Sequence, residues 1–182
     1  MLAYFPIIQK HFFQSGEAYR IYVVHVTLVT RLAIKIARRQ GLSSDSLTFI
    51  EEAGMLHDIG IAYTNSPELG CHGPHPYLMH LIEGRRVLLA EGLPKHARVA
   101  ANHVGVGGLS AQQIVESGLP LPAEDILCES IEEKIISYAD IWYSKKPKNL
   151  WKKKSYEELC KKLEKRPESL KLFKKWHKEF GE

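Results

Sequence analysis

Ala53-Gly-Met-Leu-His-Asp-Ile-Gly60 is the stretch on which the fold turns. Ahead of it, Leu47, Ile50, Ala53 and Gly54 recur at helical spacing, and His57 falls on the same face one turn later. An apolar helix therefore ends in an imidazole and a carboxylate, His57 and Asp58, on the side that faces a core. Burying either group is costly unless it is hydrogen-bonded, paired or bound to a metal.

Working outward, the same arrangement recurs. Upstream, Glu17 to Gln40 carries Ile21, Val24, Leu28, Leu32 and Ile36 as a helical stripe. His25 shares a face with Leu28, Val29, Leu32 and Ile36. Gly41 suits a C-cap, and Ser43-Ser44-Asp45 offers the next N-cap. Downstream lies a Gly/Pro/His-rich connection, Gly60 to Pro76. The spacing then predicts a helix from Tyr77 to Glu91, with His80 beside Gly84, Val87 and Leu88. Pro94 opens another helix that reaches His103, on a face with Val99 and Ala100, before Gly105, Gly107 and Gly108 stop it. Ser110/Gln113, Ser130/Glu133 and Ser155/Glu158 are capping-box pairs. Asp140 lies one turn after Ile136 and one before Tyr143. No alternating strand is evident, so the expected class is all-α.

A lone core histidine is ordinarily satisfied by a backbone carbonyl. Four histidines and two aspartates, each on an inward face, share one explanation in a metal centre. Nitrogen and oxygen ligands suit Fe, Mn, Zn, Co or Ni, and ligand type does not choose among them.

These segments together resemble the HD-domain superfamily of metal-dependent phosphohydrolases, in the His-Asp-Ile-Gly form carried by small bacterial and archaeal members. The resemblance covers about residues 20 to 146. It rests on His25 to Ala33, Ala53 to Gly60, His80-Leu-Ile-Glu-Gly84, Asn102-His-Val-Gly-Val-Gly107 and Glu132-Glu-Lys-Ile-Ile-Ser-Tyr-Ala-Asp140. It implies a single helical bundle in which His25, His57, Asp58 and Asp140 hold one metal. Asp58 would bridge to a second, held by His80 and His103. Two divalent ions would then activate a bridging water and clamp phosphate oxygens, with His57 and Asp58 at the catalytic heart. The implied function is hydrolysis of a phosphomonoester or phosphoanhydride, with a nucleotide the favoured small-molecule substrate. Two alternatives use the same centre: a mixed-valent di-iron oxygenase and a non-catalytic nucleotide-binding regulator. Ile61 departs from the lysine common after this motif, and the signature of cyclic-dinucleotide phosphodiesterases is missing.

Five further residues are candidates for substrate contact. His72 and His75 lie in the loop after the doublet, Arg85 and Arg86 follow Gly84, and Lys134 lies in the helix that delivers Asp140. For each, a solvated or ion-paired surface position is the competing reading.

Length and composition fit this picture. At 182 residues, 45% hydrophobic and 25% charged, the chain suits one globular domain. Cys71, Cys128 and Cys160 are far apart and odd in number, which argues against a disulfide framework. No apolar run approaches a membrane helix, and the start, residues 1–13, lacks the features of a signal peptide. A cytoplasmic protein is expected. Charge is uneven: from Lys145 onward there are 14 basic residues against 6 acidic, while residues 1–144 carry 11 against 15. The expected division is an HD domain over 1–146 and a lysine-rich helical extension over 147–182, packed on the same domain. That tail includes Trp151, Tyr156, Phe173 and Trp176. It reads foremost as an amphipathic closing helix, with Leu159, Leu163, Leu170 and Phe173 inward, and secondarily as a nucleic-acid grip.

Overall fold

The organising element of the computed structural model, which describes residues 2–12 and 16–181, is a 23-residue helix. A short α1 (Tyr4–His11) precedes this long helix, α2 (Glu17–Arg39). Residues 1 and 13 of the apolar start lie outside the described residues. Ile21, His25, Val29, Leu32 and Ile36 of α2 are all buried, as one stripe of a 3.6-residue period requires. Gly41 ends the helix at φ +69°, and the Leu42 amide reaches back to the Ala37 carbonyl.

α3 (Ser44–Leu56) is capped by the Ser43 hydroxyl, which accepts from the Ser46 amide. It lies close on α2: a Cβ at Gly54 would sit 2.6 Å from Thr30 Oγ1. Residue 54 must therefore be small for the helices bearing His25 and His57 to meet. A 3-10 turn, Ile59–Tyr63, leads on to α4 (His80–Ala90) and α5 (Pro94–Asn102). The helix expected from Tyr77 begins instead as a 3-10 turn, Tyr77–Met79, and becomes α-helical only at His80.

Next come α6 (Ala111–Glu116), α7 (Ile131–Asp140) and α8 (Tyr156–Leu163), each opened by a complete capping box on Ser110, Ser130 and Ser155. Losing such a cap costs about 1 kcal/mol. α9 (Pro167–Phe180) follows. The single closing helix read from the tail is thus two helices. Pro167 has no amide hydrogen to continue α8 but suits the first turn of α9.

Leu159, Leu163, Phe173, Trp176 and Phe180 are buried in one cluster with Val29, Ile36, Ile136 and Tyr138. At about 1.5–3 kcal/mol for each large buried side chain, this packing anchors the basic tail firmly. Trp151 stands apart at 69% exposed. The fold is predominantly α-helical, but among the described residues two small antiparallel ladders occur: β1 (Asn65–Ser66) with β2 (Cys71–His72), and β3 (Gly108–Leu109) with β4 (Ile126–Leu127). At two residues each, they are too short to produce an alternating pattern. Among the described residues no helix is long and apolar enough to cross a membrane.

Candidate metal centre and its lysine-lined pocket

Of His25, His57, His80 and His103, the last three are aimed by one local device. His57 Nδ1 lies 2.7 Å from the Gly54 carbonyl, His80 Nδ1 2.6 Å from Tyr77, and His103 Nδ1 2.9 Å from Ala100. Each bond goes to the carbonyl three residues back. Nδ1 therefore donates, and the lone pair of Nε2 is turned toward the centre, as a ligating histidine requires. His25 reaches the same place from the middle of α2, with neither ring nitrogen hydrogen-bonded.

Asp58 is the hub. Its Oδ2 lies 3.1 Å from His25 Nε2 and 3.2 Å from His57 Nε2, while Asp140 Oδ1 lies 2.9 Å from His25 Nε2. Its Oδ1 faces the other way, 3.5 Å from His80 Nε2 and 3.4 Å from His103 Nε2. Two groups of metal-competent atoms result: His25, His57, Asp58 and Asp140, and Asp58, His80 and His103. The atoms of each group lie within 4.8 Å of one another. The donors fit a metal. His25 Nε2, His57 Nε2, Asp58 Oδ1 and Asp140 Oδ1 are buried without hydrogen bonds, and such atoms are costly unless something coordinates them.

The local field also favours a cation. Burial opposes a charge on His57, yet Asp58 and Asp140 draw it up to about 10. Burial pushes His80 down to about 3. It likewise opposes the Asp58 charge, but Lys145 and His57 hold that carboxyl well below the usual range. Lys145 is the residue that sequence reasoning missed. Its Nζ lies 2.7 Å from Asp58 Oδ2 and 4.0 Å from Asp140 Oδ1, with the side chain 13% exposed. Five positions after Asp140, it reads in the sequence only as the start of the basic tail.

A pocket of about 360 Å³ opens over the centre. His80, His103 and Asp140 form its floor, Tyr77 and Tyr143 its aromatic sides, and Lys145, Lys146, Lys154 and Lys162 its basic wall, with Glu68 also lining it. The five other candidates do not line this pocket. His72 is exposed on β2, and His75 Nε2 lies 3.6 Å from Glu83. Arg85 pairs with Glu124, and Arg86 pairs with Glu83 at 2.8 Å while covering the Tyr63 ring. Lys134 lies partly buried along α7, ahead of Asp140. The pocket lysines come instead from the loop after α7 and from α8.

No family profile matches the chain, and no solved structure matches it. The chain is similar to an uncharacterised protein of Methanocaldococcus jannaschii, 30% identical over 122 residues, covering 65% of this chain and 63% of that protein. It is also similar to two tRNA (cytidine(56)-2'-O)-methyltransferases. That of Thermoplasma volcanium is 26% identical over 117 residues, 64% of this chain and 30% of the enzyme. That of Picrophilus torridus is 27% identical over 128 residues, 70% of this chain and 33% of the enzyme. The chain thus spans under two thirds of the first relative and about a third of the two enzymes. The named activity among these relatives is methylation of tRNA, which corrects the expectation of a phosphohydrolase, its hydrolase assignment and the alternatives built on the same centre.

Proposed function

We propose that this chain works in tRNA modification, as a metal-holding, RNA-gripping helical domain of the kind that accompanies tRNA 2'-O-methylation. The observation that carries the reading is the basic wall of Lys145, Lys146, Lys154 and Lys162 above the His/Asp centre. Similarity to the two tRNA methyltransferases supplies the RNA. The stretch shared with those enzymes is about a third of their length. Among the described residues this chain is predominantly helical, and its described strands, two residues each and antiparallel, form no parallel sheet of the kind that carries a glycine-rich loop for a nucleoside cofactor. The part assigned to it is therefore holding the RNA.

In this reading His25, His57, Asp58 and Asp140 hold one divalent transition metal, and Asp58, His80 and His103 hold a second. The convergence of these six residues supports an HD-type helical architecture for the domain. The ions would supply fixed positive charge at the pocket floor for phosphate oxygens. The protein's own residues do the rest. Lys146, Lys154 and Lys162 neutralise backbone phosphates, the part of RNA affinity that depends on salt. Tyr77, 39% exposed, offers a ring on which a base can stack.

Binding of an unmodified tRNA transcript to the protein, followed by fluorescence anisotropy across a salt series, tests this. The expected result is a linear fall of log K with log salt, and binding at least tenfold weaker in a Lys154→Glu/Lys162→Glu variant of unchanged helicity. No binding at 50 mM salt, or equal binding by the variant, overturns it.

A further inference from the structure

Lys145 belongs to two places at once. It lines the pocket, and its ammonium sits on the carboxylates of the four-ligand group, 2.7 Å from Asp58 Oδ2 and 4.0 Å from Asp140 Oδ1. Its chain position explains the reach. α7 ends at Asp140, and the backbone turns through Ile141 to Ser144 before delivering a long, flexible side chain back over the helix end. Tyr77 flanks the ammonium from the neighbouring loop.

Two buried carboxylates without a cation are costly, and one tethered ammonium relieves much of that cost. A divalent ion among His25, His57, Asp58 and Asp140 supplies the same compensation more strongly. It also repels an ammonium a few ångströms away across a weakly screening interior. The two cations compete for one place, and only the tethered one can leave without being lost. The open side is the pocket, which Lys145 already lines.

We propose that Lys145 is a tethered stand-in cation: it neutralises Asp58 and Asp140 in the metal-free protein, and a metal entering the four-ligand group displaces it into the pocket, where it becomes a binding group for the anionic ligand. Metal loading thereby arms the RNA-facing wall. The last step rests on the reading of the pocket given above; the displacement itself does not.

The test uses Mn²⁺ alone and no RNA, so its failure is distinct from a failure of RNA binding. Calorimetric titration should show the first Mn²⁺ binding at least tenfold more tightly to Lys145→Met than to the unsubstituted protein. Lys178→Met, which removes the same charge from the exposed face of α9, should leave that affinity unchanged. In the unsubstituted protein, reductive methylation read by mass spectrometry should leave Lys145 protected without Mn²⁺ and modify it when Mn²⁺ is bound. Equal or weaker Mn²⁺ binding by Lys145→Met, or Lys145 labelling indifferent to Mn²⁺, overturns the proposal. The labelling experiment decides the matter even if Lys145→Met does not fold.

Discussion

Gly60 and His80 are in contact through their backbones: a Cβ on Gly60 would lie 2.0 Å from the His80 carbonyl oxygen and 2.4 Å from the Gly84 amide. The turn after the His57-Asp58 doublet is thereby pressed against the first turn of α4. That approach sets the separation of Asp58 Oδ1 from His80 Nε2, 3.5 Å. Gly84 completes the fit, since a Cβ there would meet Ala100 on α5 at 3.1 Å.

Gly60→Ala should therefore damage stability and the second ligand group together. Backbone atoms cannot step aside as a side-chain tip can, so the cost should reach or exceed about 3 kcal/mol, the upper end for overpacked cores. Urea unfolding should show that loss, and bound metal should fall. Gly41→Ala, at an open site with φ +69°, should cost only about 1–2 kcal/mol and leave metal content unchanged. Equal effects of the two substitutions would break the link between the Gly60 contact and the centre.

Asp58 serves both ligand groups through different oxygens, which separates the consequences of substitutions around it. Elemental analysis after dialysis should find two ions per protein. His103→Ala should retain one, because the group containing His25 and Asp140 is intact. Asp58→Asn should retain none. It should also be destabilised by about 3–5 kcal/mol when metal-free, because it leaves Lys145 buried without its nearest carboxylate. Retention of two ions in Asp58→Asn would show that the carboxylate is not shared.

The helical framework that gathers these histidines and aspartates was legible in the sequence because each of its members carries a periodic signal. His25 on the face of Leu32 and Ile36, and His57 on the face of Ile50 and Ala53, could be placed inward before any geometry was known. The capping serines marked α6, α7 and α8 because their hydrogen bonds are local. The ladders of β1 with β2 and β3 with β4 left no such trace, being two residues long. Lys145 was illegible for a different reason: a loop lysine folding back on a helix end obeys no period. Arg85 and Arg86 invited a role by following Gly84, but Glu124 and Glu83 hold them. The reaction was the part least legible, because a ligand set specifies what is held and not what is done with it.

Lys154 gives the pocket a pH dependence. Burial, with Lys162 nearby, pulls this lysine down to about 8, while it donates to the Ile141 and Tyr143 carbonyls at 2.6 Å. Its charge is therefore lost as pH rises through about 8, where ordinary lysines remain charged. Its share of RNA affinity should be present at pH 7 and largely gone by pH 9, and Lys154→Met should flatten that profile. Stability runs the opposite way. Between about 8 and 10.5 the unfolded chain binds the extra proton, so stability should rise with pH across that window as far as this group decides it. An anisotropy titration at pH 7, 8 and 9 checks the binding half, and a profile unchanged in Lys154→Met would remove Lys154 as its cause.

Metal should also stabilise the fold itself, because the ligands come from distant parts of the chain. His25 lies on α2, His57 at the end of α3, His80 on α4, His103 after α5 and Asp140 on α7. The unfolded chain holds no such set together, so an ion binds the native state preferentially and its binding energy adds to stability. At a free concentration one hundred times Kd the gain is about 2.7 kcal/mol. For a chain of this length that corresponds to a rise in Tm of about 5–10 °C. Scanning calorimetry with EDTA and then with excess Mn²⁺ should show that rise in the unsubstituted protein, a smaller one in His103→Ala, and none in Asp58→Asn. The order of the three is the informative quantity. A general effect of Mn²⁺ on the charged surface would raise all three alike, whereas ions bridging the helices through Asp58 must lose their effect where Asp58 is lost.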